Sequence, residues 1–143
     1  MATKVQVTFD CADPKGLAAF WVEALGYVIQ PPPPGFESWE AFGEQIGMSP
    51  EAGDAISAAV DPEGAGPRLL FLRVPEGKTV KNRVHLDLHV VAPGTPIEDG
   101  RAALAARAKE LVARGATELG PVEEFGQYWI VMADPEGNEF CIA

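Results

Sequence analysis

Asp134-Pro135-Glu136-Gly137-Asn138-Glu139-Phe140 begins with the same four residues as Asp61-Pro62-Glu63-Gly64, which stand 73 positions earlier (134 − 61). Both copies lie between stretches of strand-like sequence. The tetrapeptide is a turn for a local reason: Asp accepts backbone hydrogen bonds, Pro presets φ at the second turn position, and Gly supplies positive φ. Such turns are common singly. A matching order of elements around both copies is what marks a module used twice.

Working outward from the turns, each copy opens on an alternating strand, Val5-Gln6-Val7-Thr8-Phe9-Asp10 and then Val84-His85-Leu86-Asp87-Leu88-His89-Val90. A helical stretch follows each strand. The first is expected from about Pro14 to Leu25, closing on Gly26, and the second from about Glu98 to Arg114, closing on Gly115; a glycine just past the last turn is a left-handed stop signal. Asp13 is the expected N-cap, with Pro14 at the first helical position. Leu17, Phe20, Trp21, Ala24 and Leu25 recur at three- and four-residue steps, which makes a core stripe facing a sheet. An extended segment, a strand ending in the turn, and a last strand (Arg68 to Val74; Glu139 to Ile142) complete each module as βαβββ.

The first module carries an insertion, residues 31–54, that the second lacks. It starts with Pro31 to Pro34, which favour polyproline II or a sheet edge. From Phe36 to about Ile46 the spacing predicts a short helix capped by Ser38. Residues 76–82 form a polar connector between module 1–75 and module 83–143, so that residues 1–143 make one domain.

Length and charge narrow the function classes. A chain of 143 residues can bury about 68–70% of its unfolded surface without disulfides or metals. A net charge of −10 argues against nucleic acid or an anionic membrane as partner. No apolar stretch approaches a membrane span, and Lys4, Gln6 and Asp10 interrupt any signal-like run at the N-terminus. The cytoplasm is the expected location, with Cys11 and Cys141 as reduced thiols.

Alternation puts His85, Asp87 and His89 on one face of their strand and Gln6, Thr8 and Asp10 on one face of theirs. Two environments suit such a face: water, or the lining of a shared cup. His85 and His89 are four strand residues apart, roughly 13 Å, so they do not share one ion without a bend.

The paired βαβββ pattern, the helix Leu17-Ala18-Ala19-Phe20-Trp21-Val22-Glu23-Ala24-Leu25-Gly26 and the terminal Asp134 to Phe140 run resemble the vicinal oxygen chelate superfamily, which includes glyoxalase I, bleomycin-resistance proteins and extradiol dioxygenases. Lys78 to Leu88 resembles its glyoxalase-like subgroup, found in many bacterial proteins. The resemblance implies an α+β fold of two tandem βαβββ modules forming a cupped mixed sheet with helices outside, and a homodimer. In metal-dependent members the ligands come from the first, fourth, fifth and eighth strands. By position the first falls on Gln6, the fifth-strand ligand on His85 and the eighth-strand ligand on Cys141 in place of Glu, while the fourth strand offers only Leu70, Phe71 and Leu72.

The function expected from this pattern is binding of a small organic molecule in the cup between the modules, without the full metal site and with no cofactor. The acidic net charge favours a cationic guest. Ligand-binding candidates are Gln6, Thr8, His85, Asp87, Trp39, Phe42 and Tyr128; Trp129 reads instead as packing. The alternative is a divalent-metal lyase, isomerase or dioxygenase-type enzyme other than glyoxalase I. It would hold an ion such as Zn²⁺ through Gln6, His85, Cys141 or Glu139, with His85 and Asp87 as catalytic candidates.

Overall fold

The structure is a computed structural model that describes residues 1–143. The chain divides after Gly77 into two compact units, Met1–Gly77 and Lys78–Ala143. In the first unit the order is β1 (Gln6–Cys11), α1 (Pro14–Leu25), β2 (Val28–Ile29), α2 (Trp39–Gln45), α3 (Pro50–Asp54), β3 (Ile56–Val60) and β4 (Arg68–Arg73). In the second it is β5 (Asp87–Leu88), α4 (Ile97–Ala113), β6 (Thr117–Glu124), β7 (Gln127–Ala133) and β8 (Glu139–Ile142).

Helix α1 forms where its caps require. Asp13 accepts a hydrogen bond from the Gly16 amide at 3.1 Å, and Gly26 ends the helix at φ 71° while its amide donates to the Val22 carbonyl. The buried stripe of Leu17, Phe20, Trp21 and Ala24 packs against the sheet. Phe9 of β1 meets Trp21 and Phe71, each with ring centroids 5.2 Å away, so this face of the sheet is the core face. Burying rings the size of Trp21 and Phe71 contributes roughly 2–3 kcal/mol each.

The first sheet has the order β1-β4-β3-β2, with β1 parallel to β4 and the other pairs antiparallel. The second repeats it as β5-β8-β7-β6, with β5 parallel to β8. Both are mixed sheets with helices, the α+β class expected of two βαβββ modules. Edge strand β2 is two residues long and runs into Pro31 to Pro34. Edge strand β6 contains Pro121 and a bulge between Glu118 and Gly120. Proline is tolerated there because an edge N–H needs no partner.

Two expectations change in detail. The strand expected from Val84 to Val90 pairs as β5 only over Asp87–Leu88, because its partner β8 is four residues long. Single backbone bonds extend the ladder, from Cys141 to the Leu86 carbonyl at 3.0 Å and from Ala143 to the Leu88 carbonyl at 2.9 Å. The insertion holds a second short helix, α3, capped by Ser49, whose five residues are too few for periodicity to register. The expected Ser38-capped helix is present as α2.

Register fixes which positions of the two units correspond. Ala59 and Met132 each stand two residues before the turn aspartate, and they pair with Leu69 and Phe140. Leu70 then corresponds to Cys141 and Arg68 to Glu139; across the parallel ladders, Thr8 corresponds to Asp87 and Gln6 to His85.

The two turns are built alike. Asp134 accepts from the Glu136 and Asn138 amides and from the Asn138 side chain, and Asp61 accepts from the Glu63, Ala65 and Gly66 amides. Asp134 is buried at 2% exposure, whereas Asp61 is only partly covered. Asp134→Ala is expected to lower stability by about 2–3 kcal/mol and Asp61→Ala by clearly less, read by denaturant unfolding, because buried donors left unpaired lose more. Equal losses would contradict this.

Candidate functional site

In the second unit, Tyr128 lies under α4, with the Arg101 guanidinium 4.7 Å from its ring centroid. Arg101 also donates to Glu123 at 2.7 Å. Ile130 and Met132 follow Tyr128 on that face and are buried. Alternation then places Trp129 and Val131 on the opposite face, and the pairing of Val131 with Cys141 and of Cys141 with Asp87 brings those residues to it as well.

On this face His85, Asp87 and Cys141 come together: one ligand atom from each lies within 4.8 Å of the others. His85 Nδ1 is 3.2 Å from Asp87 Oδ1, a hydrogen bond in which the ring nitrogen donates when protonated. Cys141 is 9% exposed. Burial, then the Asp87 charge and its hydrogen bond with the thiol, push the Cys141 thiol above the usual cysteine range. The resting group is a thiol beside a carboxylate, and an incoming cation would favour its conversion to thiolate.

Glu139 is placed elsewhere. Its carboxylate accepts from the Asn82 amide at 3.0 Å and pairs with Lys78 at 3.1 Å, while Lys78 also donates to the Val80 carbonyl. These contacts hold its carboxyl down at about 2, the Asn82 hydrogen bond being the largest cause. The ligand grouping therefore has Asp87 where the sequence suggested Glu139, since the connector folds back and supplies Glu139 with donors.

The corresponding positions of the first unit carry different chemistry on the sheet face turned away from Phe9 and α1. Gln6 donates to Thr8 Oγ1 at 3.4 Å, the counterpart of the His85–Asp87 contact. Arg68 donates from Nη1 to Gln6 Oε1 and from Nε to Gln30 Oε1, each at 2.7 Å. Leu70 stands where Cys141 stands in the other unit.

The insertion aromatics pack mainly on one another. Phe42 meets Phe36 at 5.2 Å and Trp39 at 5.8 Å, both edge-on. Trp39 is 39% exposed and its indole N–H donates to the Gln30 carbonyl at 2.7 Å. The structure thus moves Tyr128 to the helix-covered face and puts Trp129 on the face with Cys141. Counting by twos from Cys141 through its partner Val131 is the signal that finds Trp129. Arg68 is the residue that sequence reasoning passed over, hidden as the polar start of an apolar strand.

A glyoxalase-like domain model matches residues 6–143. The chain belongs to this glyoxalase-like family. Its structural neighbours lie in the glyoxalase, bleomycin resistance and dioxygenase superfamily. A family enzyme from Burkholderia phytofirmans PsJN superposes with a TM-score of 0.61 at 20% identity, covering 96% of this chain and 94% of its own. A glyoxalase-related enzyme from Fulvimarina pelagi gives 0.59 at 20% identity, covering 99% and 88%. The fosfomycin resistance protein FosX from Listeria monocytogenes, solved as a mutant with Mn(II) and a dihydroxypropylphosphonic acid, gives 0.63 at 10% identity, covering 99% and 90%. At these identities the likeness shows the fold. No curated protein sequence matches the chain. No helix is long and apolar enough to cross a membrane.

Two outcomes follow from the local electrostatics. Asp87→Asn is expected to speed alkylation of Cys141 by iodoacetamide at pH 8, read by peptide mass spectrometry to separate it from Cys11; an unchanged rate would show that Asp87 does not act on the thiol. Glu139→Gln is expected to cost on the order of 1.5 kcal/mol at pH 7. Because the folded-state pKa is depressed from 4.5 to about 2, this stabilisation is full above the unfolded value and is lost as pH falls through the folded one. The gap between parent and variant should close between those two values in acid-unfolding curves.

Proposed function

We propose that this glyoxalase-like chain binds a small organic molecule on the sheet faces turned away from its helices, without the four-ligand metal site of the metal-dependent relatives. The observation that carries this reading is the guanidinium of Arg68 on Gln6 Oε1 at 2.7 Å. That oxygen is the atom with which Gln6 would coordinate an ion, and it already accepts from a fixed cation. A dication and a guanidinium about 4 Å apart repel by on the order of 8 kcal/mol at an effective dielectric of about 20. Leu70 adds no ligand. The first unit then offers Gln6 and Thr8, and the second His85, Asp87 and Trp129, each as hydrogen-bonding or stacking groups for organic guests.

A second reading rests on the His85, Asp87 and Cys141 grouping. One imidazole, one carboxylate and one thiolate form a donor set that suits zinc, and three protein ligands leave a position for a substrate oxygen. When bound, the ion would supply Lewis-acid polarisation of that oxygen. The Cys141 proton would be released to solvent as the thiolate forms, leaving Asp87 ionised as a ligand.

Metal analysis of untagged protein purified without chelator separates the two readings, run beside a thermal-shift screen of small molecules with and without EDTA. The binding reading expects ligand-induced shifts that survive EDTA, and only traces of metal. Near-stoichiometric zinc that disappears in both His85→Ala and Cys141→Ser, with ligand shifts abolished by EDTA, would overturn it in favour of the metal site.

A further inference from the structure

We infer that Arg68 is an anchor for an oxyanion, so that the guest of the first unit is a small organic acid bearing a carboxylate or phosphoryl group. This rests on the small-molecule reading and specifies its ligand class.

The argument starts from what Arg68 lacks. Acidic residues far outnumber the unit's basic side chains, Lys4, Lys15, Arg68 and Arg73, yet none of them forms an ion pair with Arg68. Lys15 pairs with Asp54. Arg73 is spent on backbone carbonyls, donating to Ala12 and Asp54. Arg68 alone is held by two neutral carboxamides, those of Gln6 and Gln30. Amide oxygens orient a guanidinium without cancelling its charge.

Two of its five N–H groups are thereby committed, and the remaining three, including both on Nη2, have no protein partner. Nη2 is not sealed away either, because the molecule's unpartnered buried side-chain nitrogen is Arg101 Nε. A planar fork held at a fixed angle, half-buried and uncompensated, is suited to a carboxylate or phosphoryl group. Gln30 links this fork to the insertion, since its side chain accepts from Arg68 while its carbonyl accepts from the half-exposed Trp39. Trp39 offers an apolar surface for the body of the same guest. The net negative charge of the chain does not oppose this, because at physiological salt charges beyond roughly 8 Å are largely screened and the fixed local cation decides.

The test is isothermal titration of the full chain with phenylphosphonate and benzoate as anions, benzamide as the neutral probe and benzylammonium as the cation. The two anions are expected to bind most tightly and to weaken with added salt. Arg68→Gln should weaken them by roughly tenfold to a hundredfold, with Arg68→Lys in between. Gln30→Glu gives the guanidinium an acid partner, so it should keep or raise the melting temperature yet weaken the anions similarly. Benzamide or benzylammonium binding as tightly as the anions, or full anion affinity in Arg68→Gln or Gln30→Glu, would overturn the anchor and leave the small-molecule reading standing. No binding by any of the four also overturns the anchor, and the small-molecule reading is then decided by the wider thermal-shift screen.

Discussion

The parallel pairing of the first and last strands in each unit is the constraint on which the other features depend. Parallel neighbours cannot be joined by a hairpin, so the chain must cross over, and α1 and α4 are those crossovers. Each helix brings an apolar stripe that one sheet face has to cover. Once Phe9 and Phe71, or Leu88 and Ile142, are committed to that face, the two-residue period turns Gln6, Thr8 and Arg68, or His85, Asp87 and Cys141, to the other. Chemistry is segregated from core by backbone geometry.

On that shared lattice of positions the two units have diverged. The second places an imidazole, a carboxylate and a thiol within reach of one another and assigns its glutamate to the connector. The first places an arginine where that glutamate stands and a leucine where the thiol stands. One unit offers donors for a cation, and the other holds a cation of its own. In the first unit the Gln6 oxygen, the one ligand-type atom among these positions, is already engaged by Arg68.

The fold was legible because its signals are local. Asp13, Pro14 and Gly26 bound the first helix as expected, the turn aspartates mark both hairpins, and β8 spans Glu139–Ile142 as the sequence suggested. Of the candidate grouping, His85 with Asp87 was legible from alternation along one strand, and His85 with Cys141 from the family resemblance. The engagement of Glu139 was hidden because its partners Lys78 and Asn82 stand 61 and 57 residues away in sequence, and no periodicity reports on such contacts. Trp129 and Tyr128 are neighbours in sequence on opposite faces, so choosing between them needs the register of β7 against β8. Arg68 becomes conspicuous only when its partners are found to be the carboxamides of Gln6 and Gln30 and not a carboxylate.

Unpaired strand edges invite pairing with another chain, and the sheets meet that hazard with proline at β2 and β6. Neither edge offers a long, flat row of free amides: β2 stops after two residues at a run of four prolines, and β6 is interrupted by Pro121 and twisted by its bulge. Backbone-templated aggregation through these edges is therefore disfavoured, whatever the side chains do. A second molecule meeting this one at β2 or β6 would have to recognise side chains instead of extending a sheet.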